Sequence, residues 1–351
     1  MGHAERQAFM ADDAVVAEVL ARHGPAVRER LQQVLVERQG SRYLDELVAD
    51  YPARGGKLLR PCLCMAAAVA VGGRADDAVS TAASIELMHN ALLIHDDIED
   101  ESEQRRGRPT LHALHGVPLA LNAGDALGLL SLLPLKDNLR RLGPWLAQAV
   151  FDETERMAWA TAEGQALELG WQRDGRCDVS EEDYLNMVLL KTCWLTTIHP
   201  LRTGCLIGTR GGMDLDPLVR LGFFVGAAFQ IQDDVLNLEE APDYGKERHG
   251  DLVEGKRTLM LIHALQQATP PQRRRLQAFM AARRSERVPS EVRWVQSLIE
   301  STGALEHARQ VAAALAGAGL CEFDRVFAGF PDGAERRFLR SVVTWVLQRR
   351  H

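Results

Sequence analysis

The sequence predicts an all-α fold, a single large helical bundle around a central ligand cavity, and three observations lead to it. Apolar residues recur at helical spacing along most of the 351-residue chain, with no strand alternation of useful length. The punctuation is of the helix kind: Ser180-x-x-Asp183 has the form of a capping box with Asp in place of Glu, and Asp216-Pro217 sets a capping residue before proline at a first helical position. Two apolar helical runs also end in matching patterns, Asp96-Asp97-Ile98-Glu99-Asp100 and Asp233-Asp234-Val235-Leu236-Asn237, as two helices facing each other across a cavity would.

In chain order, residues 11–38 read as two amphipathic helices broken near Gly24-Pro25, with Val15, Val16, Val19 and Leu20 on the first and Val27, Leu31, Val34 and Leu35 on the second. Tyr51 to Pro61 reads as a loop with a basic edge. Its Gly55-Gly56 pair lets the backbone approach a ligand closely, and Pro61 fits a helix start. Lys57 and Arg60, near the positive end of that helix, make either a diphosphate seat or two solvated cations beside a turn. Helices are then expected over roughly 75–100, 117–141, 144–170, 181–210, 217–238, 258–268, 271–284, 290–300, 303–317 and 333–349. Trp171 to Val179 and Glu239 to Gly255 read as loops, the second carrying Lys246. Arg273-Arg274-Arg275 and Arg283-Arg284 read as a solvated basic face. No linker rich in Pro, Gly or Ser divides the chain, so one domain is expected over 1–351: N-terminal helices 1–45, a core 46–260 and C-terminal helices 261–351.

A hydrophobic content of 46% supports a sizeable core, and 41 Lys+Arg against 48 Asp+Glu, a net charge of −7, argues against a general nucleic-acid partner. Cys62, Cys64, Cys177, Cys193, Cys205 and Cys321 have no zinc-type spacing and read as buried, reduced thiols of a cytoplasmic protein. His112-x-x-His115 lacks a third ligand nearby and reads as non-metal. No membrane span is expected, since no run of about 18 uncharged apolar residues is present. Met1 to Asp13 lacks the apolar stretch of a signal peptide, and Arg6 stands where myristoylation needs Ser or Thr.

The acidic runs carry the chemistry. On a helix, residues i and i+4 share a face, so Asp96 and Asp100 are expected to point the same way with Asp97 to the side. Like charges so placed repel unless a cation joins them, and hard oxygen donors suit Mg²⁺, which keeps waters and binds through a few carboxylates plus substrate phosphates. One such cluster fits a solvated helix end equally well. A second copy favours metal held from both sides of one polyanion.

These features, taken with their neighbours, resemble the trans-isoprenyl diphosphate synthases, and within them the geranylgeranyl diphosphate synthases. The resemblance rests on Gly55-Gly56-Lys57-Leu58-Leu59-Arg60-Pro61, Glu86-Leu87-Met88-His89, the Asp96 run, Arg105-Arg106-Gly107, Gly124-Asp125, Lys191-Thr192, Phe229-Gln230 before Asp233-Asp234, and Gly245-Lys246 with Asp251 to Lys256. It spans about residues 50–260. It implies a homodimeric prenyltransferase that ionises an allylic diphosphate and joins it to isopentenyl diphosphate, with three Mg²⁺ bound alongside the diphosphate. Asp96, Asp100 and Asp233 are the implied direct metal ligands, with Asp97, Asp234 and Asn237 acting through waters or orientation. Arg105, Lys191 and Lys246 would grip the allylic diphosphate, and Thr192, Gln230 and Lys256 would complete that side. Lys57, Arg60, His89 and Arg106 would hold isopentenyl diphosphate, Arg as a fork and Lys as a point charge. The released diphosphate would take the final proton.

Product length is expected to depend on how deep the cavity runs beside the helix entering Asp96, with Leu92, Ala91 and Met88 lying four, five and eight residues upstream. In the resembled family aromatic residues at the first two positions mark short products. Here one is aliphatic and one small, which points to C20. Two departures stand out. Cys193-Trp194 occupies a place where smaller residues are expected, which would reshape the cavity wall, and Asn237 replaces an Asp of farnesyl synthases. A terpene cyclase would have no use for the isopentenyl seat, and a non-catalytic subunit of a heteromeric synthase would be expected to have lost an acidic motif; this chain keeps both features.

Overall fold

The computed structural model describes residues 3–38, 40–239 and 250–348, with side chains from residue 12 onward. Lys246 lies outside the described residues, as do Gly245 and the basic end 349–351. In order the helices are α1 (His3–Val36), α2 (Asp45–Ala53), α3 (Leu59–Ala70), α4 (Ala75–Glu99), α5 (Leu111–His115), α6 (Val117–Leu130), α7 (Leu132–Arg141), α8 (Pro144–Arg173) and α9 (Glu181–Val188). A π-helical segment, Leu189–Ile198, links α9 to α10 (His199–Gly208). Then follow α11 (Asp216–Leu238), α12 (Gly250–Glu254), α13 (Leu259–Gln267), α14 (Pro270–Ala281), α15 (Pro289–Ser301), α16 (Ala304–Val326) and α17 (Ala334–Gln348). Among the described residues, the strands are one short antiparallel pair, β1 (Gln104–Arg105) and β2 (Arg108–Pro109).

Most helix ends fall where the sequence placed them. Ser180 and Asp183 cap α9 reciprocally, and Thr258 caps α13 through its side chain. The expected break at Gly24-Pro25 does not occur, because α1 runs straight through Pro25. Val16, Val19, Val27, Leu31 and Val34 are all buried along its length, and packing against α3, α4 and α17 outweighs the one backbone bond that proline removes. Tyr51 to Ala53 is likewise the last turn of α2 rather than loop. The expected 117–141 helix is divided at Ser131. An 18-residue window within it reaches a mean hydropathy of 1.4, but the stretch also carries Asp125, Lys136, Asp137, Arg140 and Arg141.

Three apolar clusters hold the bundle. One joins α1–α4 to α6–α8, a second joins α9 and the π-helical segment to α11–α16, and a third brings Val16 and Val19 of α1 against Phe338 and Val342 of α17. The thiols are all unbridged. Cys62, Cys64, Cys193 and Cys205 are buried as expected, whereas Cys177 is half-buried and Cys321 exposed.

Candidate functional site

A cavity of about 430 Å³ opens between α4, α8, the π-helical segment and α11. Asp96 and Glu99 of α4 line it on one side, Asp233 and Asp234 of α11 on the other, and Lys191, Arg105, Arg60 and Lys256 contribute positive charge to its wall. Opposite charges therefore share one partly sheltered space, where each interaction is stronger than in bulk water.

α4 ends at Glu99, and Asp100 caps it with its amide bonded to the carbonyl of Asp96. The chain then turns through Glu101, at φ 54°, into the β1–β2 hairpin. Arg106 and Gly107 form its two-residue turn with φ 54° and 71°, the doubly left-handed geometry that matches strand twist and that glycine tolerates freely. This turn sends the paired arginines apart. Arg105 is buried and directs Nε to Asp97 Oδ1 at 2.8 Å, with Nη2 on the same oxygen and 3.5 Å from Asp96. Arg106 reaches the other way, to the carbonyls of Tyr51 and Gly55 in the Gly-rich loop.

Asp97 is consequently not on the cavity wall. It is fully buried, held by Arg105 and by the Tyr51 hydroxyl, so its place is to orient Arg105 rather than to offer an open oxygen. Asp100 faces Lys256, whose Nζ lies 2.8 Å from its Oδ2 and 2.8 Å from Glu254. Lys191 Nζ lies 3.1 Å from Asp96 Oδ1 and also pairs with Glu168 of α8. Burial opposes ionisation of Asp96, yet Lys191, then Lys256 and Arg105, outweigh it and hold the carboxyl well below its usual range. At Asp100 burial wins over Lys256 and the pKa is raised. Burial also opposes the charge on Lys191, but Asp96 and Glu168 raise its pKa and keep it protonated.

The α11 side is built similarly. Tyr184 donates to Asp234 Oδ2 at 2.7 Å, Gln230 donates to its Oδ1 at 2.7 Å, and Thr192 donates to Gln230 at 2.9 Å. Burial raises the Asp234 pKa against these two hydrogen bonds. Asn237 lies off the cavity and accepts the Asp251 amide at 3.1 Å, which ties α12 to α11. Lys191 and Thr192 sit on the π-helical segment. Near its end the Thr197 hydroxyl donates to the carbonyls of Cys193, one turn back, and of Gly222 on α11. Cys193-Trp194 was expected to reshape the wall. Neither residue lines it, because both turn into the neighbouring apolar cluster.

Arg60 and His89 line the cavity, while Lys57 is exposed with its Nζ 5.0 Å from the Trp345 ring centroid on α17. Burial, then Arg60, lowers the His89 pKa to about 4, so its ring is neutral at pH 7. Of the three residues expected to measure product length, Leu92 alone lines the cavity. Ala91, five residues and so about 140° around the helix from Asp96, is 2% exposed within the first apolar cluster, and Met88 is half-buried outside the lining. Sequence reasoning missed Tyr51, Glu168, Tyr184 and Glu254. Glu168 carried a readable signal, a carboxylate between Leu167 and Leu169 that needs a partner if buried. Arg284, read as a solvated surface cation, is instead half-buried and donates to the Asp100 carbonyl at 3.2 Å.

A helical bundle that sets two carboxylate-bearing helices and a ring of cations around one cavity is that of an isoprenoid synthase. Residues 41–298 match the polyprenyl synthetase family, and the chain belongs to that family as a trans-prenyl diphosphate synthase. It is 35% identical to a short chain isoprenyl diphosphate synthase of Methanothermobacter thermautotrophicus, over 74% of this chain and 77% of that one. It is 30% identical to a geranylfarnesyl diphosphate synthase of Natronomonas pharaonis, over 96% and 97%. The geranylgeranyl pyrophosphate synthase of Corynebacterium glutamicum, crystallised with isoprenyl diphosphate and magnesium, superposes with a TM-score of 0.84 at 28% identity, covering 95% of this chain and 99% of that one.

Proposed function

We propose that this chain condenses isopentenyl diphosphate with an allylic diphosphate in a Mg²⁺-dependent reaction whose main product is geranylgeranyl diphosphate. The observation that carries this reading is Asp96 facing Asp233 and Asp234 across one cavity, with Lys191 between Asp96 and Glu168. The donor set fits Mg²⁺: Asp96, Asp233 and Asp234 are carboxylates on the wall, and the buried Asp100 Oδ1 has no hydrogen-bond partner among the described residues. Asp96, Asp100 and Asp233 would hold the ion directly, with Asp234 oriented by Tyr184 and Gln230. Bound with the diphosphate, Mg²⁺ would supply Lewis-acid neutralisation of the charge that develops as the allylic C–O bond breaks.

The rest is the work of side chains. Lys191 and Arg105 exchange carboxylate partners for phosphate oxygens and stabilise the departing diphosphate, aided by Lys246, Thr192, Gln230 and Lys256. Arg60, Arg106 and Lys57 hold isopentenyl diphosphate, and neutral His89 contributes a hydrogen bond rather than a charge. Leu92, Leu169 and Phe229 line the wall and exclude water from the allylic cation. The released diphosphate accepts the final proton, so no side-chain base is required.

A C20 product follows from Leu92, an aliphatic residue where an aromatic one would block the channel; the geranylfarnesyl-forming relative makes C25 the competing length. Homodimerisation is supported by the exposed apolar residues Val117, Leu121 and Leu129 along α6. Incubation with Mg²⁺, isopentenyl diphosphate and C5, C10 or C15 allylic diphosphates, followed by chain-length analysis, tests the reading. A C20 product from each primer supports it, and allylic ionisation without consumption of isopentenyl diphosphate would move the assignment to a terpene cyclase.

A further inference from the structure

Away from the cavity, three elements bring together side chains for which condensation has no use. Glu181 stands in the first turn of α9, His263 on α13 and His307 on α16, all half-buried. Glu181 Oε1 is 2.9 Å from His307 Nε2 and 3.9 Å from His263 Nδ1, and one donor atom from each residue falls within 4.8 Å of the others. The two imidazole rings stack with centroids 4.1 Å apart and planes 22° from parallel. None of the three residues lines the active-site cavity.

We propose that Glu181, His263 and His307 form a binding site for a first-row transition dication of the Zn²⁺ class, separate from the carboxylate cavity. Two imidazoles and one carboxylate are the donor set that Zn²⁺ takes when it keeps a fourth position for water, and they favour Zn²⁺, Cu²⁺ or Ni²⁺ over Mg²⁺. Bonds of about 2.0–2.2 Å place tetrahedral donors roughly 3.3 Å apart, so the present cluster closes by about 1 Å, a movement open to half-exposed side chains. The carboxylate sits at a helix N-terminus, where its negative charge is favoured before any ion arrives.

The position gives the site a structural consequence. α9 carries Tyr184, which holds Asp234, and runs directly into the π-helical segment that bears Lys191 and Thr192. An ion here ties the start of α9 to α13 and α16. It braces one wall of the cavity without touching substrate.

The test uses the full chain, stripped of metal and titrated with Zn²⁺ in saturating Mg²⁺, followed by calorimetry and thermal melting. One saturable Zn²⁺ site per chain and a rise in Tm are expected, and His263→Gln and His307→Gln should each weaken that site at least about tenfold. Glu181→Gln provides the same reading if a histidine variant fails to fold. Condensation activity with Mg²⁺ should stay within about twofold in all three variants. Equal Zn²⁺ affinity in the wild type and the variants would overturn the proposal and place the ion on the cavity carboxylates. Absence of any Zn²⁺ site would overturn it as well.

Discussion

Gly164 of α8 lies directly against Lys191 of the π-helical segment: a Cβ on Gly164 would fall 2.7 Å from Lys191 Cα and 2.8 Å from its Cβ. No flexible side-chain end can yield there, so Gly164→Ala must push the segment outward. Overpacking of this kind costs about 1–3 kcal/mol. Because the displaced residue pairs with Asp96, turnover should fall further than stability alone explains. Thermal melts and kcat measured at a temperature where the variant is fully folded will show it; wild-type kcat with a lowered Tm would mean the segment's position is not critical.

Asp96→Ala and Asp233→Ala should each lower kcat by on the order of 10²–10³-fold or more while leaving far-UV circular dichroism unchanged. Both carboxylates face the cavity rather than the core, so the bundle does not depend on them for packing. Asp96→Ala also removes one of the two carboxylates that pair with Lys191 and keeps the other, Glu168. Near-normal turnover in both variants would remove the metal assignment.

The two neighbours Ala91 and Leu92 should behave oppositely when enlarged. Leu92→Phe narrows the cavity and is expected to shift product toward C15 with little loss of stability. Ala91→Phe forces an aromatic ring into a packed cluster, so it should cost about 1–3 kcal/mol and leave the product distribution largely intact. Product chromatography together with denaturant midpoints separates the two effects, and a shortened product from Ala91→Phe alone would place the floor on the other side of α4.

That pair also shows how far the sequence could be read. Helix ends set by local chemistry were legible, as at Ser180-Asp183, since a cap is written within four residues, whereas Asp216, expected as a cap, is the first residue of α11 itself, preceded by Leu215 and making no side-chain cap bond. The acidic helix ends were legible too, because the pattern occurs twice. The direction of each side chain was not. Asp97 turns toward Tyr51, a partner 46 positions away, and Ala91 turns into the core, choices made by packing between distant elements. Pro25 inside α1 fails as a breaker for the same reason. The π-helical widening around Lys191 leaves no periodic trace in the sequence.

Stability should fall in mild acid through buried neutral histidine. His199 is 1% exposed, shares a hydrogen bond with Thr154 at 3.1 Å, and has its pKa lowered to about 4 by burial, with Glu153 and Arg202 acting in opposite senses. The unfolded chain takes up this proton near pH 6.5 and the folded one only near 4, so the stabilisation is complete above 6.5 and is lost as pH falls through that window. Between pH 7 and pH 5 the loss from this one group is about 2 kcal/mol. In His199→Gln that part of the pH dependence should vanish. Urea midpoints at the two pH values measure it, and an unchanged slope would mean that His199 binds its proton equally in the folded and unfolded chain.

The outer side of α6 makes the last prediction. Val117, Leu121 and Leu129 are exposed there, Leu129 at 69%, while Ala120, Ala123 and Leu127 of the same helix are buried against the core. An apolar row on the solvent side of a helix whose inner side is already packed has no task in the isolated chain, and a matching surface on a second copy would remove it from water. Sedimentation velocity should therefore show a dimer, and Leu129→Glu, which sets a charge in the row without touching the core, should shift it toward monomer. A wild-type chain that sediments as a monomer across the micromolar range would leave this face for another partner.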